Sequence, residues 1–280
     1  MTVNHNRQNK IALINDFSGF GRCSVAVQLP IISAMRVQCC PVPTSIFSNH
    51  TGFPSFYCSD YTTHMSAYIS QWEKLELRFK GITTGFLGTS TQIGIVADFI
   101  RRFCRDDTIV LVDPVMGDYG CTYPTYTDEM CREMTRLVSL ADIITPNLTE
   151  ACILTDTPYK EHWHLAELHV LAENLASFGV SKVVITGIPQ GSFLCDFCLD
   201  RTADTEECHL FKTRKIGESR SGTGDIFSAI LSADAVNEVP FNVSVKRASR
   251  FIKKCIQKAI DMNIPVTDGV PFEEVLYSLR

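Results

Sequence analysis

Short apolar runs, each closed by a polar residue and each followed by a helical stretch, recur through most of this chain. Residues 10–15 carry Ile11-Ala12-Leu13-Ile14, and 37–42 and 81–88 carry further runs. Residues 108–113 carry Ile109-Val110-Leu111-Val112 and halt at Asp113-Pro114, and 142–145 and 182–186 repeat the pattern. An apolar run without polar alternation belongs to a strand buried on both faces, and proline ends it because it has no N–H for the ladder. Between these runs, 24–35, 62–77, 90–103, 128–140 and 165–178 space their apolar residues as helices do. Ile93, Val96, Ala97, Ile100 and Phe103 form one stripe; Leu168, Leu171, Leu175 and Phe178 form another, with Gly179 as its stop. Strand, helix and strand in repetition define an α/β fold with a mostly parallel sheet. Residues 191–200 and 208–215 read as a hairpin-like strand pair, 245–262 as a long helix and 272–279 as a short closing helix. No repeat or linker interrupts the chain, so residues 1–280 are expected to form one domain.

Composition narrows the function. With 280 residues, 45% of them apolar, a sizeable core can form. A net charge of −5 gives no basic footprint for nucleic acid. No apolar run approaches the roughly 18 residues that cross a bilayer, and residues 1–9 lack the apolar core of a signal peptide. The chain reads as cytoplasmic, with no membrane partner, and its twelve cysteines as free thiols. Cys195-x-x-Cys198 followed by Cys208-His209 has metal-like spacing, but it lies in a strand-like run without a second pair. His162, His164 and His169 read as a solvated face.

The chemistry concentrates at Ser221-Gly222-Thr223-Gly224-Asp225, which opens the apolar run from Ile226 to Leu231. Free amides at a helix start and glycines without side chains make an anion site. A carboxylate there suits a base that deprotonates a hydroxyl attacking a phosphoryl group. Asp225 is the candidate base and Gly222, Thr223 and Gly224 the candidate anion hole; a Gly-rich turn with Asp225 as a helix cap is the other reading of the motif. Magnesium prefers carboxylate oxygen, and Asp113, Asp118 and Glu150 fall at or just after strand ends. Asn147 could orient a metal-bound water. Thr145, Thr186 and Gly187 could line a phosphate or base pocket. Residues 16–21, Asp-Phe-Ser-Gly-Phe-Gly, form a turn presenting Asp16 and Ser18; Ser24 stands where a dinucleotide fingerprint needs its third glycine. Residues 43–54 are too polar for core and read as a surface loop or a wall over a small ligand. No Walker A sequence and no protein-kinase catalytic loop is present.

Gly222-Thr223-Gly224-Asp225 with Asn147-x-x-Glu150 upstream resembles the ribokinase-like superfamily of small-molecule kinases. Within it, Ser48-Asn49-His50-Thr51-Gly52, Asp113-Pro114-Val115-Met116-Gly117-Asp118 and residues 141–147 resemble pyridoxal kinases, a likeness running over about residues 10–260. The resemblance implies a three-layer α/β/α sandwich, ATP, Mg²⁺ with K⁺ or Na⁺, and a homodimer. It also implies phosphorylation of the 5′-hydroxymethyl of pyridoxal, pyridoxamine or pyridoxine. By position, Asp225 resembles the catalytic base, and Asp118, Thr145 and Glu150 the nucleotide–metal shell, with Asp113 beside it. Tyr123 resembles a loop aromatic near the phosphates, in a segment 118–125 expected to close over ATP. Thr186 matches a nucleotide contact. Thr44, His50, Phe86, Asp16 and Ser18 fall in the substrate region; Phe86 stands where such kinases often have Tyr. The 16–21 segment is closer to hydroxymethylpyrimidine kinases, so that activity is the alternative. A binder of vitamer or nucleotide without turnover is the third reading, since fold alone does not set function.

Overall fold

The structure is a computed structural model that describes residues 4–202 and 206–279; the first three residues of the polar 1–9 stretch lie outside the described residues. Its centre is a nine-stranded sheet. In chain order the strands are β1 (Lys10–Ser18), β2 (Gln38–Phe47), β3 (Cys58–Asp60), β4 (Gly81–Thr84), β5 (Ile109–Val112), the small separate hairpin β6 (Gly117–Asp118) and β7 (Cys121–Thr122), then β8 (Ile143–Ile144), β9 (Lys182–Gln190), β10 (Phe193–Asp200) and β11 (Glu207–Arg214). The spatial order is β11-β10-β9-β8-β5-β4-β1-β2-β3. From β9 to β2 neighbours are parallel, while β3, β10 and β11 run antiparallel at the two edges.

Helices cover both faces, as the apolar runs require. The helices are α1 (Val25–Ala34), α2 (Thr62–Lys74), α3 (Ser90–Phe103), α4 (Asp128–Val138), α5 (Leu148–Leu154), α6 (Leu165–Ala176), α7 (Thr223–Val236) and α8 (Phe241–Asp261). One core joins Ile14, Ile82, Val110, Val112 and Ile144 of the sheet to α2–α6. The other joins Ile11, Leu111, Ile143 and Val184 to α1, α7 and α8. Successive strand residues thus feed opposite layers, and the three-layer α/β/α sandwich is borne out. Among the described residues no helix is long and apolar enough to cross a membrane.

Several expectations need correction. Residues 43–47 are not surface loop: β2 runs through them, and Thr44 and Ser45 are buried. Polar groups survive there because they are paired: Thr44 Oγ1 donates to Phe86 O at 2.9 Å, and Thr44 O accepts from Gln92 Nε2 at 2.8 Å. Asp16 and Ser18 sit on strand rather than turn, since β1 continues past a bulge between Asn15 and Phe17. The long C-terminal helix starts at Phe241, not 245, and residues 272–279 form 3₁₀ turns, not an α-helix. The antiparallel β10–β11 pair is as expected. His169, read as solvent-facing, is part-buried and its Nε2 donates to Glu206 Oε1 at 2.9 Å, with Cys208 alongside.

Candidate active site

Parallel strands bring their carboxyl ends to one edge of the sheet, where open α/β sheets bind ligands. Asn15, Asp16 and Ser18 stand at that end of β1, Thr84 at that of β4, Asp113 just beyond β5, Thr145 just beyond β8, and Thr186 near the end of β9's pairing with β8. The N-terminus of α7 completes the group. Gly222 is its N-cap at φ +82°, a left-handed conformation that suits glycine. The first hydrogen bond of the turn runs from Ile226 N–H to Gly222 O at 2.9 Å. The amides of Thr223, Gly224 and Asp225 therefore stay free of the helix ladder. A Cβ on Gly224 would meet nothing within 4 Å, so that side of the turn is open.

Asp225 is half-buried on this turn. Its Oδ2 accepts from Ser24 N–H at 2.8 Å and its Oδ1 from Asn15 Nδ2 at 3.1 Å. Burial raises its pKa, and those two donors oppose the rise. The neighbouring carboxyls are raised too. Burial pushes Asp113 up to about 8, with the Asp225 charge adding to it. Burial likewise lifts Asp16 to about 6 against the hydrogen bonds of Ser24 and Ser18, and Asp225 again contributes upward. Glu150 is raised well above the usual carboxylate range by burial and then by Asp113. Asp118, on the exposed β6–β7 hairpin, is raised by partial burial. Tyr123 marks where they converge: after burial, the charges of Glu150, Asp118, Asp113 and Asp225 all raise its phenol.

The basic side chains beside this edge are turned elsewhere. Arg22 pairs with Glu273 at 3.0 Å and donates to Asp268 O. Arg220 donates to the carbonyls of Ile264, Pro265 and Gly269. Among the described residues no lysine or arginine is hydrogen-bonded to Asp16, Asp113, Asp118, Glu150 or Asp225, so their charge is left for a bound cation to balance. The hydroxyls of Thr84 and Thr145 support this: both are buried without a hydrogen-bond partner among the described residues. Oxygen donors of this kind suit Mg²⁺; of the group expected of it, the Thr145 hydroxyl is unpaired, while both Glu150 oxygens and Asp118 Oδ1 already accept from backbone N–H groups.

The remaining candidates divide. Glu150 has both oxygens engaged, Oε1 by Met116 N–H at 3.1 Å and Oε2 by Asn147 N–H at 2.8 Å. Asn147 completes a capping box and donates Nδ2 to Gly117 O at 2.8 Å. Its amide thus ties α5 to the hairpin with one N–H and the carbonyl, leaving the second Nδ2 hydrogen without a partner among the described residues. Thr186 bridges to Asn147 and directs Oγ1 to Pro146 O. Gly187 sits at φ +67° with its N–H donated to Asp196 Oδ1 at 3.2 Å. Tyr123 is 39% exposed at the rim.

Toward β2, Phe86 and Phe47 meet edge-on with centroids 6.1 Å apart, and Phe56 packs behind Phe47 at 5.8 Å. Thr44 holds this wall through its bond to Phe86 O. Ser18 Oγ donates to Asp16 Oδ2 at 3.0 Å. His50 has both ring nitrogens engaged: Nδ1 accepts from Gly52 N–H at 3.0 Å, so Nε2 carries the proton donated to Thr267 O at 2.7 Å. It links the 48–53 segment to the C-terminal turns.

The residues that the sequence did not signal are Asn15, Gln28, Ser24 and Thr84. Asn15 offers one clue, as the polar residue that ends the run Ile11–Ile14.

The raised carboxyls make a stability prediction. Asp16 and Asp113 hold protons in the fold up to about pH 6 and about pH 8, whereas both release them near 3.8 when unfolded. In that window the folded chain binds more protons than the unfolded one, so stability falls as pH rises. In chelator, the Tm measured by calorimetry should drop between about pH 4 and about pH 8. A Tm that rose or stayed level across that range would contradict the placement of both groups.

Comparison with known proteins agrees with this arrangement. The phosphomethylpyrimidine kinase family model matches residues 28–268. The pyridoxine/pyridoxal/pyridoxamine kinase of Bordetella avium is 26% identical over 251 residues, spanning 85% of this chain and 81% of that one. The hydroxymethylpyrimidine/phosphomethylpyrimidine kinase of Haemophilus influenzae is 28% identical over 191 residues, 68% of this chain and 69% of that one. A Bacteroides thetaiotaomicron protein of the phosphomethylpyrimidine kinase type, crystallised with pyridoxal, superposes with a TM-score of 0.94 at 36% identity, covering 98% of this chain and 96% of that one. With the match spanning most of its length, the chain belongs to the phosphomethylpyrimidine kinase family, alongside the pyridoxal kinases of the ribokinase-like superfamily, and is an ATP-dependent kinase acting on an alcohol group.

Proposed function

We propose that this kinase transfers the γ-phosphoryl group of ATP to the 5′-hydroxymethyl of a B6 vitamer, pyridoxal, pyridoxamine or pyridoxine, with Asp225 as the base. The observation that carries the reading is the Asp225 carboxylate, oriented at both oxygens beside the open amides of the α7 turn. A raised pKa brings such a carboxylate closer to what a base working near neutrality needs. The alcohol lies against Phe47 and Phe86, with Asp16 and Ser18 within reach of its ring; Asp225 takes the hydroxyl proton as the oxygen attacks phosphorus. The amides of Gly222, Thr223 and Gly224 face the charge that develops on the transferred group. Asp118, Thr145 and Glu150 would hold Mg²⁺, which would supply neutralisation of phosphate charge. Asp113, Tyr123, Asn147, Thr186 and Gly187 form the nucleotide side, with K⁺ or Na⁺ as an accessory ion. Exposed Phe17 on β1, Ile46 on β2 and Phe56 and Tyr57 just before β3 support a homodimer.

The alcohol of an aminopyrimidine is the second reading, favoured by the Haemophilus relative. The deciding measurement is ATP-dependent ADP release with each vitamer and with hydroxymethylpyrimidine, in Mg²⁺. The B6 reading expects kcat/KM for at least one vitamer to exceed that for the pyrimidine by tenfold or more, about 1.4 kcal/mol in the transition state. The reverse order assigns the pyrimidine; ligand binding without ADP release assigns a binder.

A further inference from the structure

We propose that Asn15 is a positioning residue for the base: its side-chain amide sets the direction of the Asp225 carboxylate and ties it to the Phe86 wall. This rests on the reading of Asp225 as the base. Asn15 ends the apolar core of β1 and is buried to 1% exposure. Its Oδ1 accepts from two backbone donors, Asp16 N–H at 2.9 Å and Phe86 N–H at 2.7 Å. Backbone amides can only donate, so the carbonyl end must face them and the NH₂ end must face the other way. On that side Nδ2 donates to Asp225 Oδ1 at 3.1 Å and to Gln28 Oε1 at 2.8 Å.

Gln28 is oriented in its turn. Its Nε2 donates to Ser228 Oγ at 3.0 Å, and that hydroxyl donates to Gly224 O at 3.2 Å. Gln28 and Ser228 are fully buried, so water does not compete for these bonds. A continuous chain of donors and acceptors thus runs from the backbone of β1 to the first turn of α7. The Asn15 amide lies directly against Gly85, in space that any side chain there would take: a Cβ on Gly85 would fall 2.4 Å from Asn15 Cγ. With Ser24 N–H on Oδ2, the Asp225 carboxylate is fixed at both oxygens.

The titratable groups that face Asp225 are Asp16 on β1, Cys23 before α1, Asp113 after β5 and Tyr123 at the rim. Every one is an acid, so none supplies positive charge. Neutral donors are what remain to favour the ionised carboxylate, and Asn15 is the one supplied by a side chain. The same amide holds Phe86 N–H, which keeps the wall beside the alcohol in register with the base.

The test is the pH dependence of kcat/KM for the alcohol in the wild type, Asn15→Ala and the isosteric Asn15→Asp, with Asp225→Asn in parallel. In Asn15→Ala the acid limb is expected to move to higher pH. That appears as a loss of about tenfold on the acid side, recovered on the alkaline side, as for loss of one bond to a charged acceptor. Asn15→Asp places a second carboxylate against Asp225, and the two share a proton; the same displacement is expected, and larger. A folded variant whose rate is unchanged, or lowered by one factor at every pH, overturns the proposal. Should Asn15→Ala fail to fold, Asn15→Asp preserves the volume and carries the measurement. If Asp225→Asn still turns over, the base assignment itself falls; if it is inactive and the limb stays in place, only the role of Asn15 falls.

Discussion

Asp225→Asn should lower kcat by about 10²–10⁴-fold, the range of a positioned general base. Nucleotide affinity should stay near that of the wild type, because the amides of the α7 turn are backbone groups and remain in place. The change is nearly isosteric, but it does not leave the hydrogen bonding untouched. Ser24 N–H and Asn15 Nδ2 both donate to the carboxylate. An amide at position 225 can accept at one end only, so one donor faces NH₂, a cost of about 1–3 kcal/mol. Removing a buried carboxylate offsets part of that cost, since burial already raises its pKa. A modest change in Tm with a large fall in kcat is therefore expected from steady-state kinetics and calorimetry. A kcat within tenfold of the wild type would remove Asp225 from the chemistry.

Gly222→Ala is expected to damage fold and activity together. Gly222 adopts φ +82°, and a Cβ there would lie 2.1 Å from Arg22 O and 3.1 Å from Arg22 C. Both neighbours are backbone atoms of the β1–α1 connection, so the contact cannot be relieved by a rotamer change. Left-handed backbone and displaced main chain together should cost about 3 kcal/mol or more, lowering Tm by about 5 °C or more. The displaced segment leads directly to Ser24, whose N–H holds Asp225, so kcat should fall as well. Gly224→Ala is the control. Its Cβ would meet nothing within 4 Å and its φ is ordinary, so Tm should not fall. Equal Tm losses in the two variants would show that the left-handed cap is not what the turn depends on.

Much of this was legible in local sequence. The run Ile109–Val112 and its companions predicted a mostly parallel sheet, because continuous apolar strands need cover on both faces. Gly222–Asp225 before an apolar helix pointed to an anion site, since each part of the signal lies within one turn of chain. Asn147-x-x-Glu150 reads as a capping box by spacing alone, and the structure contains it. Residues 43–47 look like loop in the sequence because their polarity is that of an exposed segment, although β2 runs through them. Thr44 is buried because a carbonyl 42 positions away takes its hydrogen bond. His50 likewise answers to Thr267, 217 positions distant.

Local order of this kind is set by residues a few positions apart: apolar periodicity, helix caps, a proline that stops a strand, glycines at a turn. These determined the layers, the catalytic-type turn and the class of chemistry from the amino-acid sequence by itself. The tertiary structure decided what surrounds Asp225. Asn15 and Asp225 are 210 positions apart, and nothing near either one announces the other. They meet because parallel crossovers carry every strand's carboxyl end to a single edge, where a buried amide must find partners wherever the chain happens to supply them.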